Sequence, residues 1–124
     1  MTDETWPSDW MRGVLGLCVL RTVADGDTYG YAIAQGLERA GLGTVKGGTL
    51  YPLLSRFEAA GLLEAQWEPG DGGPGRKHYR LTEDGHRELR EGGARWARFA
   101  DLTRTHLTVS TPASTPATTP RKQP

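Results

Sequence analysis

The sequence has 124 residues, enough for one small domain with tails, whose core is small enough that self-association would add substantially to its stability. Fifteen Lys and Arg balance fifteen Asp and Glu, so overall charge selects no class of partner. The single cysteine, Cys18, excludes an internal disulfide framework and points to a cytoplasmic setting. No apolar run approaches the roughly 20 residues of a membrane span, because Arg12 and Arg21 interrupt MRGVLGLCVL. The acidic start, with Asp3, Glu4 and Asp9, is unlike the basic opening of a secretory signal. A soluble cytoplasmic protein is expected.

Ser8 is expected to cap a first helix reaching about Val23, with Trp10, Met11, Val14, Leu15, Leu17, Cys18, Val19 and Leu20 spread over nearly every side. A helix apolar all round must be covered all round, so something beyond its own domain is expected to pack on it. DGDT reads as a turn into a second helix, about Tyr29 to Ala40, ended by Gly41. The third helix lies in KGGTLYPLLSRFEAAGLL, where Leu50, Leu53, Leu54 and Phe57 recur at i, i+3, i+4 and i+7. LLEAQWE and RKHYRLT predict two strands of a hairpin around GDGGPG. Thr82, followed by Glu83 and Asp84, predicts the cap of a long final helix toward His106. The Ser/Thr/Pro/Ala composition beyond it predicts a flexible tail. The expected division is an N-terminal segment (1–7), a folded domain (8–81), a final helix (82–107) and a tail (108–124).

This order predicts a mainly α chain with a small β-hairpin (α+β), in the winged helix-turn-helix arrangement. There the third helix enters a DNA major groove and the hairpin loop lies on the flanking backbone. Opposite the core stripe of the third helix lie Gly48, Pro52, Ser55, Arg56 and Ala59, a face of small residues with one arginine and no acid. Lys46 and Thr49 stand at its N-terminal end, where free N–H groups favour an anion. Arg76, Lys77 and Arg80 lie on or just after the glycine-rich loop, and His78 between them reads as a hairpin residue or phosphate contact. Between Thr44 and Leu81, five basic residues face four acidic ones, so charge permits DNA binding without demonstrating it. The competing reading is a winged helix whose small-residue face docks another protein.

Three stretches, TYGYAIAQGL, GGTLYPLLSRFEAAGLL and GRKHYRLTEDG, resemble the PadR family of bacterial transcriptional regulators, in its short-chain branch. The resemblance spans about Met11 to Leu107. It implies a homodimeric, usually repressing, winged-helix protein on a palindromic operator, and in some relatives release of DNA by a small aromatic compound bound between subunits. It places Tyr29, Lys46, Thr49, Tyr51, Arg76 and Lys77 on DNA-facing positions. The sequence departs from the pattern in Asp71, within a long wing loop, and in the adjacent Gly92 and Gly93 of the final helix. Those glycines predict a bend or the close approach of another chain.

Leu89, Gly93, Trp96, Ala100, Thr103 and Leu107 repeat at heptad spacing and, with Trp10 and Leu17 of the first helix, form the expected dimer interface. The plainer alternative is packing of this stripe on its own first helix. Trp10, Val14, Trp96, Phe99 and Ala100 are the expected surroundings of a planar aromatic effector, with simple interface filling as the alternative. Trp6, beside Pro7, is expected as a lid. His78, His86 and His106 are dispersed, no nucleophile stands with a base, and neither catalysis, metal nor cofactor is expected.

Overall fold

The computed structural model describes residues 5–70 and 75–108. The expected tail beyond Thr108 and the wing-loop tip with Asp71 lie outside the described residues. The elements are α1 (Ser8–Ala24), β1 (Thr28–Tyr29), α2 (Gly30–Arg39), α3 (Gly47–Ala59), β2 (Leu63–Glu68), β3 (Arg76–Leu81) and α4 (Glu83–Leu107). They fall into two units, the first reaching Ala94 and the second beginning at Arg95.

The first unit holds the core. Leu15, Val19, Leu20 and Val23 of α1 meet Ile33 and Leu37 of α2, Leu50, Leu53 and Leu54 of α3, and Leu63, Tyr79 and Leu81 of the sheet. The entry to α1 differs from expectation. Ser8 is already helical and caps nothing; the carbonyl of Pro7 instead accepts the N–H groups of Trp10 and Met11 at 3.0 and 3.1 Å. The α2 exit follows the sequence signal at Gly41 (φ +95°), and Gly61 (φ +80°) ends α3 in the same left-handed conformation, which glycine adopts without penalty.

The sheet has three strands rather than two. Thr28, read as the end of a turn, and Tyr29, read as the start of the second helix, pair antiparallel with Tyr79 and His78, giving the order β1-β3-β2. A two-residue strand is too short to show alternation, so its existence depends on the partner it finds. Along the hairpin, Leu63 pairs with Leu81 and Ala65 with Tyr79, which turns these residues to the core. Tyr29, Gln66, Glu68, Arg76 and His78 share the other face by the same register.

The start of α4 is latched to the corner between α3 and β2. The Thr82 hydroxyl accepts the Gly85 N–H at 3.0 Å, the expected N-cap, and donates to the Gly61 carbonyl at 2.6 Å. Gly85 lies so close that a Cβ there would stand 2.1 Å from the Leu62 carbonyl oxygen. Further along, α4 runs unbroken through Gly92 and Gly93. A Cβ on Gly92 would meet Leu17 at 2.9 Å, so this glycine admits a side chain of its own α1.

Gly85→Ala should therefore destabilise the fold by about 1–3 kcal/mol, since a backbone carbonyl must move. Gly13→Ala, where a Cβ on α1 meets nothing within 4 Å, should gain up to about 1 kcal/mol. Urea denaturation of both variants checks the contrast; equal stabilities would refute the latch.

Candidate nucleic-acid interface

α3 divides cleanly by burial. Leu50, Leu53 and Leu54 are buried, whereas Gly48, Thr49, Pro52, Ser55, Arg56 and Ala59 are exposed. Pro52, inside the helix, has no N–H to offer the Gly48 carbonyl, which is left to solvent on this bare face. At the N-terminal end Lys46 is extended, no side chain caps the helix, and no acid stands in the first turn. The end is thus open to an anion.

Tyr51 leans toward α2. Its ring lies over the buried Gly30, where a Cβ would come within 2.5 Å of the ring edge, yet 47% of the residue stays exposed. Gly30 at the start of α2 is what lets the tyrosine lie there.

The wing is braced on its outer face. Tyr29 of β1 reaches across β3 and donates its hydroxyl to Glu68 of β2 at 2.7 Å. The Arg76 guanidinium lies 5.0 Å from the Tyr29 ring centre, and the His78 ring meets it edge-on at 4.9 Å. The hydrogen bond to the Glu68 carboxylate, then desolvation, push the Tyr29 phenol above its ordinary pKa. Tyr29 and His78, expected to face DNA, are thus also the structural base of the wing.

Ion pairing sorts the charges. Lys77 turns to the inner face and pairs with Glu58 of α3 at 3.1 Å, with most of each side chain covered. Arg80 pairs with Glu64 at 2.8 Å. Among the described residues, Lys46, Arg56 and Arg76 have no carboxylate at ion-pair distance. The slight local excess of basic charge is therefore concentrated on α3 and the wing base. Trp67, cross-strand to Lys77 and 67% exposed, is a wing residue that the sequence reading passed over. Its signal was faint, since an aromatic inside a strand reads first as sheet packing.

The residues expected at a dimer interface separate into two groups. Leu89 packs against the first unit's core, and Leu17 lies against Gly92, so this part of the stripe has contacts within its own chain. In the second unit, the Trp96 and Phe99 rings meet at a tilt of 52° with centres 5.6 Å apart, Thr103 donates to the Ala100 carbonyl, and Phe99, Leu102 and Leu107 are exposed. In the first unit, Val14 is half-buried and Trp10 is 62% exposed beside Trp6, at 6.5 Å between ring centres. Trp6, expected as a lid, donates its indole N–H to the Gly41 carbonyl at 2.8 Å. Among the described residues, no His, Cys, Asp and Glu gather as a metal site, and no helix is long and apolar enough to cross a membrane.

A helix with one bare face, set beside a braced two-stranded wing, defines a winged helix-turn-helix protein. Comparison with known proteins gives the family: residues 19–91 match the profile of the Transcriptional regulator PadR-like family, and the chain belongs to it. It is 39% identical over 83 residues to Transcriptional regulator Rv3488 of Mycobacterium tuberculosis, covering 67% of this chain and 76% of that one. The crystal structure of a PadR family regulator from Eggerthella lenta superposes with a TM-score of 0.75 at 36% identity, covering 83% of this chain and 89% of that one. Bacillus subtilis PadR, solved in complex with operator DNA, shares the fold at 24% identity and a TM-score of 0.58, over 63% of this chain and 44% of that one. The family is one of transcriptional regulators, not enzymes.

The phenol of Tyr29 should titrate above the ordinary tyrosine range and move back toward it in Glu68→Gln. The folded state holds this proton more tightly than the unfolded chain does. Its contribution is therefore complete below the ordinary tyrosine value and lost as pH rises through the raised one. NMR titration of the Tyr29 ring checks this, and an unchanged titration in Glu68→Gln would remove the carboxylate as its cause.

Proposed function

We propose that this chain is a homodimeric DNA-binding repressor of transcription that reads a palindromic operator, with residues 8–81 as the DNA-binding domain and residues 82–107 as the dimerisation helix. The observation that carries the reading is the exposed, acid-free face of α3, Gly48, Thr49, Pro52, Ser55 and Arg56, with the wing base beside it. Small side chains let the helix backbone come near the edges of bases, and Lys46, Arg56 and Arg76 supply charge for the flanking phosphates. Tyr51 and Thr49 read sequence. Lys77 contributes by holding the wing to Glu58, and His78 by holding Tyr29. The operator DNA held by Bacillus subtilis PadR supports the same use of this fold.

The exposed Phe99, Leu102 and Leu107, with Trp96, Ala100 and Thr103 on the heptad stripe, support pairing of α4 with a second copy. Two copies would hold two recognition helices roughly 34 Å apart, one DNA turn. Trp10, Val14, Trp96, Phe99 and Ala100 remain the proposed surroundings of a planar aromatic effector.

Selection from a random duplex pool should recover a palindrome, and failure to enrich any duplex would overturn the reading. Arg76→Ala should weaken binding to every duplex and lower the slope of log affinity against log salt by about 1, whereas Thr49→Ala should mainly erode discrimination between sequences. Light scattering should show a dimer at micromolar concentration and a monomer for the double variant Leu102→Glu, Leu107→Glu. A monomeric unmodified chain would exclude the two-half-site geometry.

A further inference from the structure

Arg12 sits on α1, which is neither the recognition helix nor the wing, in a helix rich in apolar residues. It borders an open cavity of about 470 Å³ together with Lys46, Thr49 and Arg56 of the α3 region and Trp6 of the N-terminal segment. Three of the lining residues are cationic and none is acidic. The cations come from two different helices and the residue preceding α3, so the fold gathers them; no run of sequence does. Leu15 and Leu53 form part of its apolar wall. The Trp6 indole N–H, bonded to the Gly41 carbonyl at 2.8 Å, ties the chain ahead of α1 to the turn between α2 and α3.

We propose that this cavity seats a DNA backbone phosphate beside the groove that α3 enters, and that Arg12 is a third positioning cation alongside Lys46 and Arg56. The inference rests on the DNA-binding reading above. Charge complementarity carries it: an acid-free depression with three cations, next to the open N-terminal end of α3, matches a polyanion running past that helix. The cavity, at about 470 Å³, has room for a phosphate group, and Trp6 is one of its lining residues. Asp9, which pairs with Arg12 at 2.8 Å, competes with the phosphate for the same guanidinium. Both partners are largely exposed, so the exchange from carboxylate to phosphate requires no unfolding.

The experiment measures affinity for a duplex recovered by selection across a salt series, in the full chain and in Arg12→Gln, Trp6→Phe and Asp9→Asn. Arg12→Gln should weaken binding to all duplexes alike and lower the salt slope by about 1, leaving the ranking of sequences unchanged. Trp6→Phe, which removes the indole donor and part of the ring while keeping an aromatic group, should weaken binding in the same direction by a smaller factor. Asp9→Asn should tighten it. Wild-type affinity and slope in Arg12→Gln, while Arg76→Ala still weakens binding, would overturn this inference and leave the DNA-binding reading standing. The same unchanged slope, joined to quenching of the Trp6–Trp10 pair by benzoate, would overturn it in favour of a small-anion pocket. A chain that selects no duplex at all would overturn both.

Discussion

Burial of Leu50, Leu53 and Leu54 is what holds α3 in place, and the usable surface of the protein depends on it. Each buried leucine contributes about 2 kcal/mol relative to an exposed one. That anchorage is one-sided, and it frees the opposite face from any structural duty. Gly48 and Pro52 are poor helix residues, and neither would persist in an isolated helix of thirteen residues. They are tolerated because packing, rather than the hydrogen-bond ladder, keeps the helix formed. The result is a helix surface with almost no side-chain bulk, presented rigidly to solvent.

The same economy of position governs charge. A count of ionisable residues around α3 and the wing comes close to cancelling. In the folded chain Glu58 and Glu64 are each taken by a strand cation, Lys77 and Arg80, and Glu68 is taken by the Tyr29 hydroxyl. The exposed Arg80–Glu64 pair contributes little to stability. The two ion pairs set Lys77 and Arg80 against Glu58 and Glu64 and leave Lys46, Arg56 and Arg76 without a carboxylate at ion-pair distance among the described residues. Electrostatic character thus arises from which charges are paired, not from how many there are.

The α4 helix answers to two demands along its length. Near its start, Thr82, Gly85, Leu89 and Gly92 fit against the α3–β2 corner, the core and Leu17 of the same chain, and small residues appear where the approach is closest. Past Ala94 the pattern changes to exposed aromatic and aliphatic groups, Phe99, Leu102 and Leu107, with the Trp96 ring tilted against Phe99. Exposed apolar side chains at this density on the last turns of a helix suit a partner surface. A core as small as that of the first unit gains from such pairing.

The sequence by itself determined the helices, the hairpin and their order, because these rest on local signals that no distant contact has to supply. The 3.6-residue recurrence of Leu50, Leu53 and Leu54, the glycines at 41 and 61, and the Thr82 cap each act within a turn or two of chain. It also marked the bare face of α3, since a missing side chain is visible without coordinates. Only the tertiary structure decided the rest. The strand at Thr28–Tyr29 exists because β3 offers it unpaired backbone groups, and two residues carry no periodicity of their own. Gly92 read as a bend or as an opening for a second chain, and in the folded chain Leu17 of α1 lies against it. Arg12 read as an interruption of an apolar helix, and folding brings it to the cavity it shares with Lys46 and Arg56. In each case the deciding partner lies tens of residues away, and pair distances across such separations are set by how the core packs, which no local pattern encodes.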